Sequence, residues 1–221
     1  MDNTKIRKLH ELLYAHYGEM HWWPADTPYE VMVGAVLTQN TAWSNVKKAL
    51  AGFGARLDPS FVETASLDEI RDIIRPAGFF NQKSVYLKTL TEWFSGYDCS
   101  CDLIKTRPPE QIRKELLALC GIGAETADSI MLYAFGFPIF VVDNYTLRLT
   151  QRLYAAENRL SYNEAQRLYM SALDKSYYNN CHAMIVEVSK DYCRSKALCD
   201  NCPLRGVCST GTPGAEKRPA I

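Results

Sequence analysis

Leu119-Cys-Gly-Ile-Gly-Ala-Glu-Thr-Ala127 constrains this chain more than any other stretch, because two helical patterns meet across it with hardly a residue to spare. Upstream, Pro109 suits a first helical turn, where a missing N–H costs little, and Ile112, Leu116 and Leu119 recur on one face. Downstream, Ala127, Ile130, Met131 and Ala134 repeat at helical spacing. Gly121 and Gly123 offer the φ > 0 conformations that a tight hairpin needs. A Gly-x-Gly turn that opens a helix aims N–H groups outward at a positive dipole end, where an anion can bind. A plain helix–helix connection fits the same spacing. Sixteen residues after Ala127, Asp143 delivers one carboxylate at the start of a further helix.

The rest of the pattern is helical too. Ile6, Leu9, Leu12 and Leu13 mark a first amphipathic helix that ends near Gly18, and His21-Trp-Trp-Pro24 is an aromatic turn. Thr27-Pro-Tyr-Glu30 reads as a capping box with proline at the first helical position. The helix it starts is apolar on nearly every side through Val31–Leu37, so it belongs at the centre of a domain. It runs into the polar patch Thr38-Gln-Asn-Thr41, which a buried helix should reach only at a surface or cleft. Two further capping boxes are expected at Ser66/Glu69 and Ser161/Glu164, and 95–106 is expected as a loop. Phe137 to Val142 reads as a buried extended connection, because no second strand candidate lies near it. The tail 209–221 is polar and expected to be disordered. The fold class is all-α.

Formal net charge is zero, so composition gives no general argument for a polyanion partner, and any nucleic-acid surface must be local. No apolar run approaches a membrane span and the N-terminus lacks a signal-peptide core, which points to the cytoplasm. In that reducing setting a cysteine cluster suits metal better than disulfides. Cys193, Cys199, Cys202 and Cys208 form such a cluster, spaced C-x5-C-x2-C-x5-C. Four thiolates so placed can hold a tetrahedral zinc or a four-iron cluster, and the single close pair favours iron–sulfur. Arg194, Lys196 and Arg205 lie between the ligands, either as cations for a phosphate backbone or as solvated charges.

A glycine hairpin, a following aspartate and a C-terminal four-cysteine loop, in this order, resemble the endonuclease III family of helix-hairpin-helix DNA glycosylases. Leu37-Thr-Gln-Asn-Thr41, Gly78-Phe-Phe-Asn-Gln-Lys83 and Val141-Val-Asp143 fit the same resemblance, which covers roughly residues 25 to 208. It implies two helical domains, 1–27 with 140–221 (cluster loop 193–208) and 28–139 (the hairpin), with the active-site cleft between them. It also implies a monomer acting on double-stranded DNA, nucleoid-associated and of prokaryotic type. Gly121 and Gly123 would grip a backbone phosphate, Asp143 would face the flipped nucleotide, and Gln39 would fill the vacated stack. Cys193, Cys199, Cys202 and Cys208 would hold a 4Fe-4S cluster, although the first ligand spacing is one residue shorter than the family's usual one.

Bifunctional members carry a lysine just before the Thr-Ala of the hairpin, where this chain has Glu125. A glycosylase-lyase needs that amine to attack the sugar C1′ and form a Schiff base. The resemblance therefore implies a monofunctional enzyme, unless another amine such as Lys83 or Lys190 takes that part. Trp22-Trp-Pro24 and Gly-Ile-Gly-x-Glu are similar to the 3-methyladenine DNA glycosylases of the endonuclease III type, which also carry a pocket lysine matching Lys190. Cleaving the N-glycosidic bond builds positive charge on the sugar, and a carboxylate beneath it stabilises that charge or orients water. Asp143 is the candidate, with helix N-cap as its structural role. Trp22, Trp23 and Trp43 are either stacking platforms for a cationic base or ordinary core. Lys190 is either a pocket residue or half of a surface pair with Glu187. Oxidised or mismatched pyrimidines as substrates, and a non-enzymatic DNA-binding module, are the competing readings.

Overall fold

The structure, a computed structural model, describes residues 2–211, and no strand occurs among them. None of the described helices is long and apolar enough to cross a membrane. The chain forms two compact units, Met1–Trp22 with Pro138–Ile221, and Trp23–Phe137.

The first unit opens with α1 (Asn3–Tyr17), which stops where Gly18 turns to φ 69°. The second unit contains α2 (Pro28–Leu37), α3 (Trp43–Phe53), α4 (Pro59–Thr64), α5 (Leu67–Ile74), α6 (Phe80–Ser95), α7 (Cys101–Lys105), α8 (Pro109–Ala118) and α9 (Ala124–Ser129). A π turn, Ile130–Ala134, continues α9. At its centre lies α2, whose Met32, Val36 and Leu37 have no exposed surface. It packs on α3, α6, α9 and the π turn, as its all-round apolar pattern demands. Each such side chain contributes about 1.5–3 kcal/mol over an exposed one.

Val141 and Val142, buried and in neither helix nor strand, lead into the next helix of the first unit. There α10 (Asn144–Tyr154), α11 (Tyr162–Ala172) and α12 (Tyr178–Asp191) follow. Ile6, Leu9 and Leu13 of α1 are buried where that helix packs on α11 and α12. Phe140 stacks on Tyr169 at 4.4 Å between centroids, which fixes the path of the connection just before Asp143.

Several local expectations need correction. Residues 95–106 are not all loop, since Ser100 accepts the Leu103 N–H, starts α7 and lets Ile104 bury completely. Of the three capping boxes only Ser161/Glu164 closes in both directions. Glu30 reaches one residue further back, to the Asp26 N–H, and Glu69 turns to Arg56 instead. Ser209 and Thr210 are tied to Leu153 and Arg152 carbonyls, so the expected disorder does not begin at 209. The remainder of that tail, 212–221, lies outside the described residues.

Candidate functional site

Within the second unit, α8 and α9 form the hairpin. Gly121 has φ +76°, and a Cβ built on it would lie 2.3 Å from the Tyr86 ring, so only glycine fits. Gly123 behaves differently from the sequence expectation. Its φ is −86° and ψ 177°, an extended N-cap for α9 with nothing within 4 Å of an added Cβ. Both glycines are exposed, while Ile122 between them is buried and anchors the turn. Arg113 and the fully buried Asp128 bolt α8 to α9 through two bonds of 2.7 and 3.1 Å. Glu125 stands exposed in the first turn of α9.

Gln39 lies against this hairpin, donating from Nε2 to the Gly121 carbonyl and to Thr126 Oγ1, both at 3.0 Å. Its support comes from Lys83, whose ammonium donates to the carbonyls of Leu37 at 2.9 Å and Ala77 at 2.8 Å. Burial lowers the Lys83 pKa to about 8. A lysine only 2 % exposed and engaged with two carbonyls is a helix-end clamp, not an amine presented to DNA.

Asp143 caps α10 in the first unit. Its Oδ1 accepts from the Thr146 N–H at 2.7 Å and the Thr146 hydroxyl at 2.8 Å, and its Oδ2 lies 3.6 Å from His182 Nε2 on α12. Its side chain is only 12 % exposed. Burial pushes this carboxyl up, but His182 and Thr146 together outweigh burial and hold it below the ordinary carboxylate value. His182 escaped the sequence reading, because a lone histidine in the apolar run Cys181–Val188 carries no spacing signal towards Asp143.

Trp22 belongs to the first unit, and Trp23 and Trp43 belong to the second. Trp22 closes the N-terminal segment of the first unit, and Lys190 sits over its ring at 5.4 Å while pairing with Glu187 at 2.7 Å. The Glu187 contact is the i,i+3 pair that the sequence allowed for Lys190. Trp23 opens the second unit, edge-on to Trp43 at 5.3 Å and tilted on Tyr133 at 5.4 Å. Its indole lies on Gly34, where an added Cβ would come within 3.3 Å of Nε1.

Cys193, Cys199, Cys202 and Cys208 all line one cavity, walled by Leu149 and Arg152 of α10 and by Leu204. Arg152 braces the loop, donating to Cys193 Sγ at 3.2 Å and to the carbonyls of Arg194 and Ser195 at 2.6 and 2.8 Å. Arg148 adds a bond to the Cys193 carbonyl. Burial, with smaller contributions from the neighbouring thiols, raises Cys202 to about 11. Four thiols facing a shared cavity, one already taking a bond from a cation, fit a thiolate-ligated cluster by donor chemistry. Among the described residues no group of three or more His, Cys, Asp or Glu is drawn together as a metal site. Arg194 and Lys196 are exposed on the loop, whereas Arg205 turns to Asp200.

The chain is similar to several known proteins. A protein of Methanocaldococcus jannaschii, provisionally named a DNA repair glycosylase, is 42 % identical over 209 residues, covering 92 % of this chain and 95 % of its own. The solved H. pylori 3-methyladenine DNA glycosylase bound to 1,N6-ethenoadenine is 26 % identical with a TM-score of 0.75, covering 86 % of this chain and 98 % of that one. A trapped endonuclease III–DNA covalent intermediate shares the fold at a TM-score of 0.82 and 23 % identity, covering 96 % and 97 % of the two chains. Residues 33–175, which include the polar patch, the hairpin and Asp143, match the HhH-GPD superfamily of base excision DNA repair proteins, and the chain belongs to that DNA glycosylase family.

Proposed function

We propose that this glycosylase is monofunctional, hydrolysing the bond between sugar and an alkylated purine such as 3-methyladenine and leaving an abasic site. The observation that carries the reading is the contrast between Asp143 and Glu125. A buried carboxylate, fixed on one oxygen by Thr146, is suited to stabilise an oxocarbenium-like sugar and to orient water. The hairpin meanwhile offers a carboxylate where a lyase needs an amine.

The exposed glycine turn supports a phosphate grip by Gly121 and Gly123, on duplex DNA bound by a monomer. Gln39 rests on the hairpin and is the side chain assigned to fill the stack once the damaged base flips out. Cys193, Cys199, Cys202 and Cys208 would hold a 4Fe-4S cluster, a structural group that ties the loop bearing Arg194 and Lys196. In this reading the enzyme works in the cytoplasm on nucleoid DNA.

A second reading has its own observation. Lys190 already places a cation on the Trp22 face, which favours a neutral base there, such as thymine or uracil opposite guanine or an oxidised pyrimidine. A panel of duplexes decides between the two. Release of 3-methyladenine from methylated DNA, lost in Asp143→Asn while DNA binding persists, supports the alkylpurine reading. Release confined to pyrimidine lesions transfers the assignment, and no release from any lesion sinks the enzyme reading.

A further inference from the structure

Two elements converge on the Asp143 carboxylate. Thr146, one turn into α10, holds Oδ1 with its backbone N–H and its hydroxyl. From α12, the His182 ring brings Nε2 within 3.6 Å of Oδ2. The imidazole is itself confined, being 5 % exposed and edge-on to Phe140 at 6.3 Å, and Phe140 is held by its stack on Tyr169. The packing of α10 on α12 sets the spacing of the two groups. A carboxylate held on one oxygen alone still swings about its last torsion, whereas two holders fix its plane.

We propose that His182 is the positioning residue for Asp143, its imidazole Nε2 facing Oδ2 across 3.6 Å so that the carboxylate acts as an oriented anion instead of a proton acceptor. This rests on the assignment of Asp143 to the glycosylase reaction. With Oδ1 bonded to Thr146 and Oδ2 faced by the imidazole, the group serves the developing sugar charge electrostatically, and water is oriented by its field. The ionisable groups named at this corner are Asp143 on α10, His182 on α12 and the Tyr169 hydroxyl on α11. Burial drives the Tyr169 hydroxyl far up, and it is already bonded to Thr150 at 2.9 Å, so it does not titrate in the working range.

His182→Leu removes the donor, and His182→Gln keeps an N–H at a similar reach. On the full chain, three quantities separate positioning from packing: the single-turnover rate of base release against pH, the Kd for lesion-free duplex, and the Asp143 carboxyl titration followed by carbon NMR. His182→Leu should lower the rate about tenfold or more with Kd within about twofold, and move both the acid limb and the titration midpoint upwards. His182→Gln should recover the rate to within about threefold of the original.

If His182→Leu keeps its rate and its Asp143 midpoint, or if His182→Gln falls as far as His182→Leu, the positioning role is wrong. Should the midpoint rise and Gln restore it in a protein that releases no base, the proposed function fails while the coupling of the two residues stands. A His182→Leu that does not fold leaves His182→Gln to decide, through its rate and midpoint.

Discussion

The Tyr86 ring covers Gly121 so closely that a Cβ at that position would sit 2.3 Å from a ring carbon, on a backbone that already has φ +76°. Gly123, two residues on, has free space and an extended φ. The two glycines of the hairpin therefore answer substitution differently. Gly121→Ala should destabilise the protein by about 2–4 kcal/mol, from left-handed strain and displacement of the ring. Gly123→Ala should stay within about 1 kcal/mol. Urea unfolding of both variants checks this, and equal losses would mean that the hairpin is not built as described.

Lys83 gives the fold a pH dependence of known sign. Its pKa falls from an ordinary lysine value of 10.5 to about 8 on folding because burial disfavours the charge. Between those values the unfolded chain binds more protons, so the Lys83 contribution to stability rises with pH across that window. Lys83→Met lacks this contribution. The stability difference between the original protein and the variant should grow in favour of the original from pH 8 to about 10.5. A difference that stays flat in paired urea titrations would show that the ammonium is not desolvated.

How much of this was legible in the sequence follows from which forces act locally. The buried helix Val31–Leu37, the hairpin, the N-cap position of Asp143 and the extended run before it are all written in periodicity, glycine and capping residues, which act within a few positions. What escaped depends on partners far along the chain. Tyr86 over Gly121, Arg113 on Asp128 and His182 beside Asp143 are side-chain meetings that no spacing rule announces. The capping boxes at Thr27 and Ser66 misled for the same reason, since Arg56 competed for Glu69 and a nearby N–H for Glu30. Trp22 and Trp23, adjacent in sequence, packed into different units, which alternation of residue types does not reveal.

Given the proposed 4Fe-4S cluster, Arg152 should decide how firmly the four-cysteine loop holds it. It bonds Cys193 Sγ and the two carbonyls that follow it. Arg152→Met leaves those acceptors without their donor, a loss of about 1–3 kcal/mol at the buried Cys193 and less at the two exposed carbonyls. The expected result is lower iron per chain and a weaker visible absorption shoulder in protein purified without oxygen. Unchanged iron content would remove Arg152 from the support of the site.

Asp143 caps α10, and in the proposed reading it also serves the reaction, two jobs that substitutions can separate. Asn keeps a side-chain oxygen for the Thr146 N–H, so Asp143→Asn should retain helix capping while losing the negative charge. Asp143→Ala loses both and should cost about 1 kcal/mol of stability in addition. Because the folded carboxyl lies below its ordinary value, its stabilising contribution is complete above the unfolded pKa and is lost as pH falls through the folded one. Acid unfolding of the Ala variant should therefore be shallower than that of the original protein. Matching acid limbs in the two would mean that the carboxyl is not held down on folding.

If the proposed monofunctional reading holds, Glu125 is the position at which one substitution should change the reaction type. It is exposed in the first turn of α9, where an acidic side chain suits the positive end of a helix. A lysine there loses that favourable interaction, about 0.3–1 kcal/mol at the surface, and leaves the buried Asp128 clamp untouched. Borohydride added to the original protein with an abasic duplex should trap no covalent adduct, because Lys83 is buried against two carbonyls and Lys190 is engaged by Glu187 and Trp22. Glu125→Lys should acquire a trappable adduct, since it supplies an amine that can form a Schiff base with C1′ of the opened sugar. Denaturing gels read both outcomes directly. A trapped adduct in the original protein would assign it lyase chemistry through another amine.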